Sequence, residues 1–309
     1  MNMILKSLSL LFSAAAMLST AGCMPVFTAF NHADQYTAGD FSTNIAVKAL
    51  DIDWTAGSVT VSRHDDPELT VTETCSTSLK DSQKVQTWLE GSTLHIRYCK
   101  PNVNFNLSAE KKLEIKLPNN LDLDTLKCDC TSAETSLTDI SADSFEVDVT
   151  SGTLQLSDCS AGHFDIGSTS GDITVAQKGN SEKLNAESTS GKIQITAETV
   201  KELKAHSTSG DVSVTAQKTE SVSAESTSGS ETLHFIAMPA SADICATSGN
   251  VILFVPKNAD FTASVDTTTG SFDSDISLTK NGDTYTAGSG ANQIRIDTTS
   301  GDVAIKAEG

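Results

Sequence analysis

A Thr-Ser-Gly motif returns at nearly constant intervals through the second half of this sequence. From Gly152 to the Thr-Gly variant at Gly270, the successive intervals are 19, 20, 19, 19, 20 and 21 residues. Ala133 lies 19 residues before Gly152 and marks a degenerate copy, and an isolated earlier copy ends at Gly57. A period of about 20 residues predicts a repeat architecture. The motif glycines are Gly152, Gly171, Gly191, Gly210, Gly229, Gly249 and Gly301.

Apolar or small residues alternate with polar residues on both sides of each glycine. Phe164 and Ile166 precede Gly171, for example, and Ile173 and Val175 follow it. A period of two is typical of strands, in which successive side chains point to opposite faces. Each unit is therefore predicted to be a strand, a turn at the glycine, a second strand and a polar connector.

The turn residues suit this arrangement chemically. Glycine reaches positive φ at little cost, so we expect the turn glycines to adopt it. The neighbouring Ser and Thr hydroxyls can satisfy local backbone groups. Identical hydroxyls of successive units can also bond to one another as a ladder.

One unit of this kind cannot fold alone. It buries about four modest side chains, which contribute roughly 1.5–3 kcal/mol each. Ordering about 20 residues costs roughly 1–2 kcal/mol per residue. The units must therefore stack and share a core, which predicts an all-β fold with a single-stack β-solenoid over residues 126–309.

The preceding region, residues 41–125, carries the first repeat and then departs from the period. Leu69–Thr74 and Leu94–Tyr98 alternate as strands do. The stretch 80–89 between them predicts a short helix or a loop over the end of the stack. We expect this irregular β region to cap the solenoid, because the end of a repeat array needs a cover.

The N-terminus resembles a bacterial lipoprotein signal. An apolar run from Leu8 to Leu18 is shorter than the roughly 20 residues that span a bilayer. The small residues Ala21 and Gly22 then precede Cys23. We expect a signal peptide over residues 1–22 and a lipid on Cys23. Cleavage after Ala21 or Gly22 without lipidation is the alternative.

The resemblance to lipoproteins also implies a location. Met24 follows the cysteine, whereas in enterobacterial lipoproteins an Asp at that position signals retention in the inner membrane. We therefore expect an exported protein attached to the outer membrane by its lipid. Residues 23–40 would form the tether between the lipid and the folded part.

The cysteines fit an exported protein. The chain has seven, and six remain for disulfides if Cys23 carries lipid. Cys75 and Cys99 close two predicted strands and are the favoured pair. The spacing of the remaining candidates does not match a structural zinc site, so a second bridge or buried thiols are favoured over metal. These candidates are Cys128, Cys130 and Cys159.

The composition is strongly acidic. There are 21 Lys+Arg against 40 Asp+Glu, for a formal charge of −19. Such a chain does not follow a phosphate backbone, which argues against nucleic-acid binding. Lys192 lies between Asp172 and Asp211 in successive repeats and predicts a column of compensated charges. Calcium repeats need denser oxygen ligands, so no metal site is predicted.

No catalytic residues and no cofactor are predicted. Ser277 and Lys280 match the Ser-x-x-Lys pattern of some acyl enzymes, but that chemistry needs a helix. Asn281-Gly282 is a hairpin signal, so we expect a strand and a turn there. The six histidines are scattered and form no known motif.

The serial turns resemble those of the toastrack-type "putative adhesin" family of bacterial envelope proteins. The resemblance covers residues 41–309 and implies a β-solenoid fold, an envelope location and no catalytic residues. Leu117-Pro118 and Val255-Pro256, before further repeat units, fit it as well. The turns that carry it are Ser170-Gly171-Asp172-Ile173, Ser209-Gly210-Asp211-Val212 and Ser300-Gly301-Asp302-Val303.

We expect a non-enzymatic envelope protein whose repetitive polar surface binds a protein or a glycan. Two alternatives stay open. An envelope-stress sensor or accessory protein would act through a membrane partner. A carbohydrate-active β-helix enzyme would need convergent carboxylates in a cleft, commonly with basic and aromatic residues, and aromatics make up only 5% of this chain.

Overall fold

A computed structural model describes residues 30–103, 105 and 109–308. Cys23, the signal peptide and residues 23–29 of the tether lie outside this part of the chain. Every regular element within it is a β-strand, which confirms the all-β class. The strands are β1 Thr37–Ala38, β2 Phe41–Thr43, β3 Ala49–His64, β4 Leu69–Cys75, β5 Gln86–Glu90, β6 Thr93–Arg97, β7 Lys111–Pro118, β8 Leu123–Thr138, β9 Ser141–Ser151, β10 Leu154–Ser170, β11 Ile173–Ser190, β12 Ile193–Ser209, β13 Val212–Ser228, β14 Glu231–Phe235, β15 Ser241–Ser248, β16 Val251–Val255, β17 Phe261–Thr269, β18 Phe272–Ser274, β19 Thr279–Asn281, β20 Thr284–Ala287, β21 Asn292–Ser300 and β22 Val303–Ala307.

Successive repeats pair in parallel and in register, which confirms the solenoid. We call a pre-turn strand, its turn and the following post-turn strand a rung, and we name each rung by its turn residue. Leu184, Leu203 and Val222 are aligned across three rungs on the pre-turn side. Ile193 and Val212 are aligned on the post-turn side. The alternation of the sequence thus places one set of side chains inside the stack and the other set outside.

The order of the rungs in space differs from their order in the chain at both ends. β21 lies between β15 and β17, so the Gly301 rung is inserted between the Gly249 and Gly270 rungs. At the other end, β3 lies between β8 and the rung formed by β6 and β7. The first and last rungs of the chain therefore have a ladder partner on each side, which restrains the chain ends against fraying.

The turn glycines form one column through the stack. A Cβ built on Gly210 would lie 2.0 Å from the carbonyl oxygen of Gly191, and one on Gly171 would lie 1.8 Å from that of Gly152. Only Gly57 and Gly152 of the turn glycines have positive φ. The expectation of positive φ is therefore wrong for the other turns. Glycine is needed there because successive backbones approach too closely for any Cβ.

Hydroxyls beside this column hold neighbouring rungs together. Ser207 donates a hydrogen bond to the carbonyl oxygen of Gly191 at 3.2 Å, and Thr267 donates one to that of Gly301 at 3.1 Å. Each hydroxyl stands three residues before its own turn glycine and reaches the glycine of the adjacent rung. The expected bonding to backbone groups is present, but for these two hydroxyls it replaces the predicted hydroxyl-to-hydroxyl ladder.

The N-terminal end is covered as expected, although not by a helix. Residues 81–84 form a turn and a bend, and β5 continues the cover by pairing antiparallel with β6. On the post-turn side β4 pairs antiparallel with β7. Antiparallel strands can cover the open edge of a parallel stack without extending the winding.

A buried ion pair fixes this cover. Lys111 Nζ lies 2.7 Å from Glu73 Oε1, and both side chains are almost fully buried. The same ammonium donates to the Tyr98 carbonyl and lies 4.1 Å from the centre of the Tyr98 ring and 5.0 Å from that of Trp54. Burial lowers the pKa of Lys111 and raises the pKa of Glu73, while their mutual attraction opposes both shifts.

Removing two whole repeats tests the modular stack. Deletion of residues 172–210 joins Gly171 to Asp211, which preserves the column and the alternation. We expect a folded protein shorter by two strand spacings, or about 10 Å. Circular dichroism and small-angle scattering measure these properties. Loss of the folded state would contradict the modular description.

Candidate functional site

The stack presents two outer faces, and the pre-turn face carries most of the charge. We define this face by the outward side chains four, six and eight positions before the turn residue. The column four positions before the turn contains seven carboxylates, together with Gly167, His206 and Cys245. Its carboxylates, in spatial order, belong to Asp53, Asp129, Asp148, Glu187, Glu225, Asp297 and Asp266.

The crowding of carboxylates changes their acidity. Asp148 is exposed on this face, and its neighbours in register are Asp129 on one side and Gly167 on the other. Desolvation by the surrounding side chains raises the pKa of Asp148, and repulsion from Asp129 and Asp165 raises it further. The glycine gives this carboxylate room, because a Cβ on Gly167 would lie 2.2 Å from Asp148 Oδ1.

The post-turn face is uncharged over most of the stack. The column three positions after the turn contains hydroxyl and amide side chains through seven successive rungs. The solenoid thus separates a charged face from a neutral one. The column runs through Thr60, Ser136, Gln155, Thr174, Gln194, Ser213 and Thr232.

The residues directly after the turns stand between the two faces. The expected charge compensation between Lys192 and the carboxylates of Asp172 and Asp211 is replaced by hydrogen bonds from backbone N–H groups. Asp172 accepts a hydrogen bond at 2.8 Å from the backbone N–H of Lys192, and Asp211 accepts one at 3.0 Å from that of Ser230. A carboxylate therefore satisfies a backbone donor of the next rung, because the turn offers that donor no ladder partner.

Two neighbouring depressions mark the pre-turn face of the last rungs. One has a volume of about 400 Å³ and is lined by residues two to four positions before the turns, including His206, Glu225 and Asp266. The other has a volume of about 490 Å³ and is lined farther from the turns, with Lys204 and Arg295 at its sides. We call the two together the trough.

The cysteines show no disulfide bond within the described residues. The predicted Cys75–Cys99 bridge is absent from this structure, where Cys75 is aligned with Lys111 on β7. The Sγ atoms of Cys128 and Cys130 lie 3.6 Å apart inside the stack. A disulfide bond in either pair, Cys75–Cys99 or Cys128–Cys130, stays a prediction. Cys159 is buried in the same core, and its thiol donates to the carbonyl of Leu137 at 3.5 Å.

The Ser-x-x-Lys pattern is part of a hairpin, as predicted. Lys280 lies on β19, which pairs antiparallel with β20 across the turn at Gly282. Ser277 therefore has no helical partner there. Across the described residues, no three His, Cys, Asp or Glu side chains are grouped as metal ligands. The same residues contain no helix long and apolar enough to cross a membrane.

Sequence reasoning missed Glu231, which lies wholly inside the stack. Its neighbours in register are Val212 and Val251. Neither carboxyl oxygen has a well-formed hydrogen bond. The nearby backbone of Ser226 lowers the pKa of this carboxyl, but by less than burial raises it. Burial, aided by repulsion from Glu225, raises the pKa of Glu231 to about 9. The signal was present in the repeat, because this position is apolar in the adjacent units.

Comparison with known proteins identifies the fold family. The profile of Toastrack DUF4097 matches residues 47–236 and 182–306. A "putative adhesin" of Parabacteroides merdae is 12% identical over 88% of this chain and 97% of its own, with a TM-score of 0.46. A "putative lipid binding protein" of Parabacteroides distasonis is 15% identical over the same shares, also with a TM-score of 0.46. A "putative adhesin" of Bacteroides fragilis is 14% identical over 87% and 96%, with a TM-score of 0.42. No curated protein matches this chain.

The buried carboxyl of Glu231 predicts a distinct pH dependence of stability. The folded protein keeps the proton up to about pH 9, whereas an exposed Glu releases it near 4.5. Stability is therefore full below the lower value and falls as pH rises toward the higher one. We expect the free energy of unfolding of Glu231→Gln to rise, relative to that of the unchanged protein, by about 1.4 kcal/mol for each pH unit in this window.

Urea denaturation at pH 5.5 and 7.5 measures this gain, with Glu231→Val as the variant that matches the other repeats. Both variants should be more stable than the unchanged protein at the higher pH. Equal pH slopes for the unchanged protein and Glu231→Gln would show that the carboxyl is not buried in its protonated form.

Proposed function

Because the chain belongs to the toastrack family, we propose that it is a non-enzymatic protein of the cell envelope that binds a protein or a glycan. Binding uses the polar side chains that the solenoid repeats along its outer faces. The lipid on Cys23 attaches the protein to the outer membrane. The tether of residues 23–40 then separates the solenoid from the lipid surface.

One observation carries this proposal: the outer columns repeat similar side chains on successive strands. Adjacent strands of a sheet lie about 4.8 Å apart, so each column offers a regular series of equivalent contacts. Such a surface suits an elongated partner, because many weak contacts add along its length. A catalytic site instead needs a few groups that converge on one reacting atom.

Affinity capture from bacterial envelope extract tests the binding role. The full chain, immobilised on beads, should retain a specific protein or glycan that excess free chain displaces. Cys23→Ser is the matched control for the anchor. It should keep the same ligand, because the solenoid is unchanged, but should move from the membrane fraction to the soluble fraction.

Two results would contradict the proposal. The first is the absence of any displaceable ligand from extracts prepared under several conditions. The second is conversion of an envelope glycan to shorter products, abolished by a single Asp or Glu substitution, which would make the protein an enzyme.

A further inference from the structure

The trough has a definite length along the stack. The depression nearer the turns extends from His206 on the Gly210 rung to Asp266 on the Gly270 rung. These rungs are four strand spacings apart, which is about 19 Å. An extended polypeptide rises about 3.3 Å per residue, so roughly six residues fit along the trough.

The walls of the trough carry more negative than positive charge. Lys204 lies 2.8 Å from Glu202, and Arg295 pairs with Asp297 and lies 3.6 Å from Asp243. Both cations are thus already engaged by carboxylates of the trough itself. Its carboxylates are Glu202, Glu225, Asp243, Asp266 and Asp297.

One of these carboxylates, that of Asp266, has no ion-pair partner among the described residues. Asp266 is exposed, and its carboxylate makes no hydrogen bond or ion pair with any residue in the described part of the chain. Glu225 lies three rungs farther from the end of the stack, and its one ion-pair partner in the described part of the chain is His206 at 3.5 Å. The two carboxylates are thus about 14 Å apart along the stack, so each would attract its own cationic side chain without displacing a lysine or an arginine.

The other properties of the trough favour a polypeptide over a sugar. No Phe, Tyr or Trp side chain lines either depression, so the trough offers no large aromatic face on which a sugar ring could stack. Four serines line the second depression beside apolar residues such as Leu203 and Val222, and we call these serines its floor. The floor residues are Ser221, Ser223, Ser241 and Ser264.

The position of the trough leaves it accessible when the N-terminus is anchored. The described chain begins at the opposite end of the stack, where Tyr36 packs on Trp88 and β1 pairs with β5. The Gly229 rung is six strand spacings from the Gly57 rung, or about 29 Å. The trough therefore lies on the part of the rod that projects away from the attached end.

We propose that the trough binds an extended segment of a partner protein that is rich in lysine or arginine. Its cationic side chains pair with Asp266 and Glu225, and its backbone lies over the serine floor. This inference deepens the proposed function and rests on it, because it assigns one of the outer faces as the binding face and a cationic polypeptide as the ligand.

Fluorescence anisotropy tests this with a labelled twelve-residue peptide of alternating lysine and serine, and with a glutamate–serine peptide for comparison. The full chain should bind the lysine peptide and not the glutamate peptide. Glu225→Gln combined with Asp266→Asn should weaken binding about five-fold or more, since it removes two carboxylates from the trough. Asp266→Lys is a second variant at an exposed position and should weaken binding further.

Glu68→Gln combined with Glu134→Gln is the control for net charge. It removes the same charge from exposed positions near the other end of the stack, so binding should change less than about two-fold. Equal weakening by both double variants would overturn the proposal, because the attraction would then be diffuse. Binding of a neutral glucan with no binding of the lysine peptide would overturn it too. If affinity capture still yields a displaceable ligand in either case, the proposed function stands while this inference fails.

Discussion

The close approach of backbones at the turns is the constraint on which the rest of the structure depends. At Gly210 the carbonyl oxygen of Gly191 occupies the position that a side chain would need. The same oxygen accepts the hydroxyl of Ser207. One atom thus requires glycine in one residue of the repeat and favours a hydroxyl three residues earlier. The recurring motif is a consequence of stacking more than of turn conformation.

The register fixed by the glycine column also determines the composition of the outer faces. Rungs held in register place equivalent side chains directly over one another, so small differences between repeats accumulate into whole faces. The pre-turn face gathers carboxylates, and the pKa of Asp148 is raised by desolvation and by repulsion from its acidic neighbours. The post-turn face gathers Thr, Ser and Gln. A rod with one charged and one neutral face can orient an elongated partner without any concave active site.

Much of this could be predicted from the sequence, because period and alternation are local properties. The strands and the turn positions follow from them directly, and the hairpin at Gly282 follows from the Asn281-Gly282 dipeptide. The order of the rungs could not, since parallel pairing between distant segments leaves no local trace, and the Gly301 rung lies beside Gly249 in spite of the chain between them. The outer columns could be predicted from the repeat spacing, because residues at the same distance from the turn become neighbours. The trough was not, because its depth depends on side-chain volumes across strands whose order was unknown.

The most direct test of the account is the stability of Gly210→Ala, with Ser213→Ala on the outer side of the following strand as the reference. The alanine Cβ would have to displace a backbone oxygen 2.0 Å away in the adjacent rung. We expect the free energy of unfolding to fall by about 1–3 kcal/mol or more, which lowers both the melting temperature and the urea midpoint. If Gly210→Ala is as stable as Ser213→Ala, close packing of the turn backbones does not hold the stack together.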